Sequence, residues 1–155
     1  MSTPEVVSRV GSVVATPAGP EALGFIVDSW CRSFERSALA TLGLPSPEAI
    51  PPGMRRLVCS SIHARVKATI AKPTTRALVL VHEDRPEVLL GHLVYEPGTP
   101  GTVHYAYVLE SLRHMGLASM LLEAAHVSGA SATHFTRAGA ALFRRFSLTY
   151  SPQEA

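Results

Sequence analysis

Val103-His104-Tyr105-Ala106-Tyr107-Val108, a run of β-branched and aromatic residues, leads within a few positions into Leu112-Arg113-His114-Met115-Gly116-Leu117-Ala118-Ser119-Met120-Leu121-Leu122. The first run reads as the core of a strand over 102–109, and the second as a helix over 113–128. The first turn of that helix reads Arg-x-x-Gly-x-Ala. A strand that ends in a glycine-containing turn and opens a helix builds an anion site. The first amides of the helix have no partner within it, and the helix dipole favours negative charge there. Gly116 and Ala118 carry no bulk, so a pyrophosphate can come close to the backbone. The pattern predicts an enzyme that uses a phosphate-bearing cofactor.

Working outward, Leu23, Ile26, Val27, Trp30, Cys31 and Phe34 recur at helical spacing and predict a helix near 21–40. Gly43 to Pro47 and Pro51-Pro52-Gly53 read as a loop. Met54, Leu57, Val58, Ile62, Val66 and Ile70 predict a second helix, closed by Lys72-Pro73. Ala77–Val81 and Val88–Tyr95 read as strands, with Gly91 a bulge or a point of close approach. Ala132–Thr136 is a further strand, Gly139–Phe146 a short helix, and Ser147–Tyr150 a short strand. Near the N-terminus, Val10–Ala15 could add an edge strand. The predicted order is α-α-β-β-β-α-β-α with a β tail, without repeats.

The chain has 155 residues, 46% apolar and 17% charged, with a formal net charge of +2. Such a length fits one domain spanning 1–155 with a sizeable core, residues 1–20 forming a flexible lead-in. The charge is too small to imply nucleic acid by itself and suits an anionic cofactor equally well. Cys31 and Cys59 show no CxxC spacing and read as free thiols. No apolar run approaches the roughly 18 residues of a membrane helix, and no secretory signal is visible. The expected location is cytoplasmic.

Two features, the Arg113-His114-Met115-Gly116-Leu117-Ala118 motif and the hairpin-strand-helix-strand-helix order from 77 to 146, resemble the GNAT superfamily of CoA-dependent N-acyltransferases. More narrowly, Phe25–Ser33, Gly91–Val94, His104–Val108 and Thr133–Thr136 resemble small GNAT-like proteins encoded by bacteriophages, which would place the protein in a host cytoplasm. The resemblance implies an α/β fold: a mixed, mostly antiparallel sheet with helices on both faces and splayed central strands. It implies acetyl-CoA, or another acyl-CoA, as cofactor, and acyl transfer to an amine by direct attack in a ternary complex. The pantetheine would pair with the backbone of Tyr107, Val108 and Leu109. The amides from His114 through Met115, Gly116, Leu117 and Ala118 to Ser119 would hold the pyrophosphate, with Arg113 beside it. Two departures from the family pattern stand out. Many members carry a tyrosine in the last helix that protonates the departing thiolate, whereas the matching region here, Ala141–Phe146, offers phenylalanine. The C-terminal hairpin is shortened, and a second subunit could complete that edge.

An amine must lose a proton to accept an acyl group, so a general base is needed. His104 is the first candidate, with a hydrogen-bonded core histidine as the other reading. His134, on the neighbouring strand, could line the acceptor site or hold a water; a structural polar ladder with Thr136 explains it equally well. Tyr105 and Tyr107 share the strand face opposite His104 and read as packing residues, but Tyr105 inherits the functional role if His104 is buried. Trp30, Ser33 and Arg36 follow one another along the first helix, a region that the resemblance assigns to the acceptor wall together with Thr136. For Trp30 the core reading is favoured, which leaves Ser33 and Arg36 as the acceptor contacts. His82, His92 and His104 lie on three consecutive strands, but no metal-binding signature accompanies them and no metal is expected. Two alternative functions stay open. One is a GNAT-shaped binding or regulatory protein with weak catalysis. The other is modification of an amine on nucleic acid, supported by Arg55 and Arg56 in a basic second helix.

Overall fold

The computed structural model describes residues 5–41 and 49–152. The expected loop through Gly43–Pro47 lies outside the described residues. Two compact units are described, each by itself: one formed by residues 5–22 and 73–152, the other within 23–72.

The first unit holds a seven-stranded sheet in the order β1-β2-β3-β4-β5-β6-β7. Its strands are β1 (Ser8–Val10), β2 (Val13–Pro17), β3 (Arg76–His82), β4 (Arg85–Glu96), β5 (Thr102–Val108), β6 (Ser131–Ala132) and β7 (Thr149–Tyr150). Pairings from β1 to β5 are antiparallel. β5–β6 and β6–β7 are parallel. The fold is therefore α/β with a mixed, mostly antiparallel sheet.

The single edge strand expected over Val10–Ala15 is instead a hairpin. Gly11, at φ +58°, turns the chain between β1 and β2. β2 then lies inside the sheet against β3, with Val14, Ala15 and Thr16 buried. Gly91 is a point of close approach. A Cβ there would stand 2.5 Å from the Tyr107 carbonyl oxygen and 3.2 Å from Val108 Cα. The β3–β4 register also shifts beside it, between Leu80 and Val81.

Helix α3 (Leu117–Ala124) is shorter than the 113–128 read from the sequence. His114 at φ +67° and Gly116 at φ +79° turn the chain before the helix, and His126 at φ +54° and Gly129 at φ +75° turn it afterwards. Leu117, Met120, Leu121 and Leu122 bury one face of α3 among Leu78, Leu80, Leu93, Val103 and Val108 of the sheet. Met115 precedes the helix and is 58% exposed. Burying four such side chains is the main stabilising contribution of this layer, at about 1.5–3 kcal/mol each. Helix α4 (Ala140–Arg145) follows the β6 segment, and its Leu142 and Phe143 pack against the same core.

The strand expected over 132–136 is reduced to Ser131–Ala132. The Thr133 N–H still reaches the Val103 oxygen at 2.9 Å. Thr136 then caps a 3₁₀ turn at Arg137–Gly139, which takes the chain away from β5.

The second unit consists of α1 (Leu23–Thr41) and α2 (Pro52–Ala71). The Arg65 guanidinium of α2 lies over the Phe34 ring of α1, 5.9 Å from its centroid. Cys31 and Cys59 are free thiols, and burial pushes Cys31 up to about 11. Among the described residues no helix is long and apolar enough to cross a membrane.

Candidate active site

β5 and β6 pair through two residue pairs only, Thr102–Ser131 and Val103–Ala132. Beyond them the two chains part. The Leu109 N–H donates to the Leu90 oxygen at 3.0 Å, so β5 still pairs with β4 to its end. Ladder alternation turns the backbone groups of Tyr107 toward β4 and those of Ala106 and Val108 into the gap. Of the three residues whose backbone was expected to pair with pantetheine, Val108 faces the gap, whereas Tyr107 and the Leu109 amide are committed to β4.

A cleft occupies the gap, lined by Tyr105, Ala106, His134, Thr136, Leu142 and Phe143 among others. The cleft and its mouth hold about 440 Å³ of space. The walls are mostly apolar, and Tyr105, His134 and Thr136 are the polar side chains in them. Ala106, Ala132 and Gly139 keep it open by their small size. Leu122, Leu142, Phe143 and Leu148 enclose it from the helix side; Leu142 and Phe143 fall in the Ala141–Phe146 region set beside the family's tyrosine, whereas Leu122 and Leu148 were not singled out as site residues. Their signal was only apolarity, which core packing also explains.

Tyr105 and His134 meet inside this cleft. Their ring centroids are 5.5 Å apart at 62°. Tyr105 also packs against His92, at 5.4 Å, and His92 against Tyr107, at 5.7 Å. Desolvation lowers the pKa of His134 to about 4 and that of the fully buried His92 to about 3. Both are neutral imidazoles at neutral pH. Thr136 is half-buried, and its hydroxyl accepts from the Gly139 N–H at 3.1 Å.

His104 takes a different place. It is the additional residue where the β4–β5 register shifts between Val94–Tyr105 and Tyr95–Val103. The side chain is 0% exposed, and its two ring nitrogens lie 2.9 Å from Glu96 Oε1 and 3.2 Å from Thr133 Oγ1. Neither Glu96 nor the Thr133 hydroxyl was singled out from the sequence. Glu96 stands between the strand read over Val88–Tyr95 and Pro97-Gly98. The signal was the hairpin register: Glu96 pairs with Thr102, which puts His104 on the neighbouring diagonal.

At the start of α3 the backbone turns through Gly116, and a Cβ added there would meet nothing within 4 Å. The helix then opens with Leu117, Ala118 and Ser119. Arg113 is exposed and donates from Nε to the Val108 oxygen at 3.2 Å, tying the turn back to the end of β5. His114 and Met115 are exposed in the turn, and Ser119 is buried. Trp30, Ser33 and Arg36 belong to α1 in the other unit. Trp30 is buried and stacks on Phe34 at 6.3 Å, Ser33 is half-buried, and Arg36 is exposed. His82, His92 and His104 are engaged separately: His82 Nδ1 accepts from the Asp84 N–H, His92 stacks between tyrosines, and His104 bonds Glu96.

Neither a protein-family model nor a curated protein sequence matches the chain. Solved structures do. A GCN5-related N-acetyltransferase from Ralstonia eutropha JMP134 superposes with a TM-score of 0.56 at 14% identity, covering 92% of this chain and 96% of that one. A structure from Rhodopseudomonas palustris, also described as a GCN5-related N-acetyltransferase, gives 0.51 at 16% identity, covering 94% and 81%. At these identities the likeness is one of fold. The chain has the fold of these acetyltransferases.

Proposed function

We propose that the protein transfers an acyl group, acetyl in the first instance, from an acyl-CoA to an amine. The observation that carries this reading is the parting of β5 from β6 after two residue pairs, which leaves a lined cleft and an edge of β5 without a neighbouring strand. An extended, amide-bearing chain such as pantetheine can complete that edge as a missing strand would. The open space above Gly116 and the first amides of α3 suit a pyrophosphate. Arg113 adds positive charge beside it.

An acyl-CoA held in this way would supply the activated thioester. The chain's own groups do the rest. Ala106 and Val108 orient the bound chain through their backbone. The apolar wall of Leu142, Phe143 and Leu148 excludes water that would otherwise hydrolyse the ester. His134, half-buried and held neutral by desolvation, accepts the proton that the amine nitrogen sheds as its bond to the acyl carbon forms. Tyr105 donates its hydroxyl proton to the departing thiolate. His104 is not given the base role, because both of its ring nitrogens already hold hydrogen-bonded partners.

One observation favours a second reading, a protein of this fold that binds without efficient turnover. Phe143 lines the cleft from the last helix, where a hydroxyl would serve the leaving thiolate. The two readings separate in one experiment. Calorimetric titration with acetyl-CoA is followed by measurement of thiol release against a panel of amines. Micromolar binding with amine-dependent release supports acyl transfer. Binding without release supports the second reading, and no binding at millimolar ligand sinks both.

A further inference from the structure

We propose that Glu96, His104 and Thr133 form a strut from β4 across β5 to the segment that follows β6, which fixes the apex of the cleft and thereby the placement of His134. These are positioning residues, and the proposal rests on the acyl-transfer reading of the cleft. A bulge interrupts the regular ladder, so backbone pairing alone does not fix the chain there. His104 is the bulged residue, and its side chain bridges the neighbours on both sides. On one side, Nε2 lies 2.9 Å from Glu96 Oε1, and the other carboxylate oxygen accepts the Thr74 hydroxyl at 3.0 Å. A carboxylate only accepts, so the hydrogen of the Glu96 bond sits on Nε2. On the other side, Nδ1 lies 3.2 Å from Thr133 Oγ1, which also reaches the His104 carbonyl oxygen at 3.4 Å.

Thr133 is the last residue bonded to β5 before the strands part, and its N–H holds the Val103 oxygen at 2.9 Å. The next residue is His134, in the cleft. Any movement of Thr133 is therefore passed to His134 through one peptide unit. A valine at 133 would fill the same space and keep the backbone bond. What the hydroxyl adds is a fixed distance to the His104 ring. Buried polar groups are costly unless their partners are in place, so such a network holds one geometry sharply. A displacement of about 1 Å in a reacting group can cost up to about a hundredfold in rate.

The test compares Thr133→Val, Thr133→Ser and Glu96→Ala with the wild-type chain. The readouts are acetyl-CoA affinity by calorimetry, thiol release from acetyl-CoA with the most reactive amine of the panel as the acceptor, and the histidine imidazole signals of ¹⁵N-labelled protein. In Thr133→Val, acetyl-CoA affinity should stay within about twofold while thiol release falls about tenfold and the His134 signals shift. Thr133→Ser should restore both. Wild-type rate with unmoved His134 signals in Thr133→Val overturns the strut, as does failure of the serine to restore them. Should the valine variant not fold, Glu96→Ala decides by the same signals: shifted His134 resonances support the strut and unmoved ones overturn it. If wild-type protein neither binds acetyl-CoA nor releases thiol, the acyl-transfer reading fails, and the His134 signals still decide the strut by themselves.

Discussion

The ring of Tyr105 meets that of His134 edge-on where β5 parts from the β6 segment, with centroids 5.5 Å apart. The contact unites a phenol of β5 with an imidazole of the segment that follows β6. It continues through His92 to Tyr107, so four rings form one row across the sheet. In this row histidine behaves as a neutral ring, because burial removes the water that would stabilise its cation.

His134→Phe should keep the ring contact with Tyr105 and remove the proton acceptor. Turnover should fall about a hundredfold or more, the usual scale for a lost general base, with acetyl-CoA affinity unchanged. The pH profile separates His134 from an ordinary histidine base. With its pKa lowered to about 4, the wild-type rate should not fall through His134 between pH 8 and 6. Initial rates across pH 4–8 provide the check, and a wild-type decline centred near 6.5 that vanishes in the variant contradicts the assignment.

Gly116 makes a distinct prediction because conformation and space act separately there. Its φ of +79° strains any L side chain, but the surrounding space is open. Gly116→Ala should cost about 1 kcal/mol of stability and leave acetyl-CoA binding within a few fold. Gly116→Glu should carry the same backbone cost and weaken acetyl-CoA binding at least tenfold through repulsion of the phosphates. Calorimetry at low and high salt checks this. Equal affinity of the two variants would remove the phosphate site from the start of α3.

Much of this was legible because the decisive signals were local. The 3.6-residue pattern of 23–34 and 54–70, the alternation after Val103, and the glycine of the Arg-x-x-Gly-x-Ala motif each depend on a few neighbouring residues. What escaped was set by tertiary register. Ser131–Ala132 is a short strand because the chain after Thr133 turns away from β5, and nothing in Thr133-His134-Phe135-Thr136 announces that. His104 and Tyr105 were assigned to opposite faces by strict alternation, but a bulge at His104 resets the alternation. The bulge sends His104 to Glu96 and Thr133 and leaves Tyr105 to the cleft.

Gly91 tests the close approach of β4 to β5. A Cβ would stand 2.5 Å from the Tyr107 carbonyl oxygen and 3.0 Å from Leu80 Cδ1. The leucine can rotate, but the carbonyl belongs to the ladder and cannot move without disturbing the pairing of Tyr107. Gly91→Ala should therefore destabilise the protein by about 2–3 kcal/mol, the range for an overpacked core. Denaturant unfolding gives the value, and a change below about 0.5 kcal/mol would show that the strands are free to separate there.

Acid should destabilise the sheet through two histidines of the same row. His92 and His134 have folded-state pKa values of about 3 and about 4, against an ordinary 6.5. The unfolded chain therefore binds protons that the folded chain refuses. Their contribution is fully present above pH 6.5 and is lost as the pH falls from 6.5 toward 4 and then 3. Between pH 7.5 and 4.5 each should remove about 2 kcal/mol. Carboxylates titrate over part of this range, so the informative quantity is a difference between variants. His92→Phe keeps a ring between Tyr105 and Tyr107 but takes up no proton on unfolding. Its stability should decline with a slope shallower by nearly one proton between pH 6 and 4. Urea unfolding of both chains at half-unit pH intervals measures that slope, and parallel curves would mean that His92 is protonated as readily in the fold as outside it.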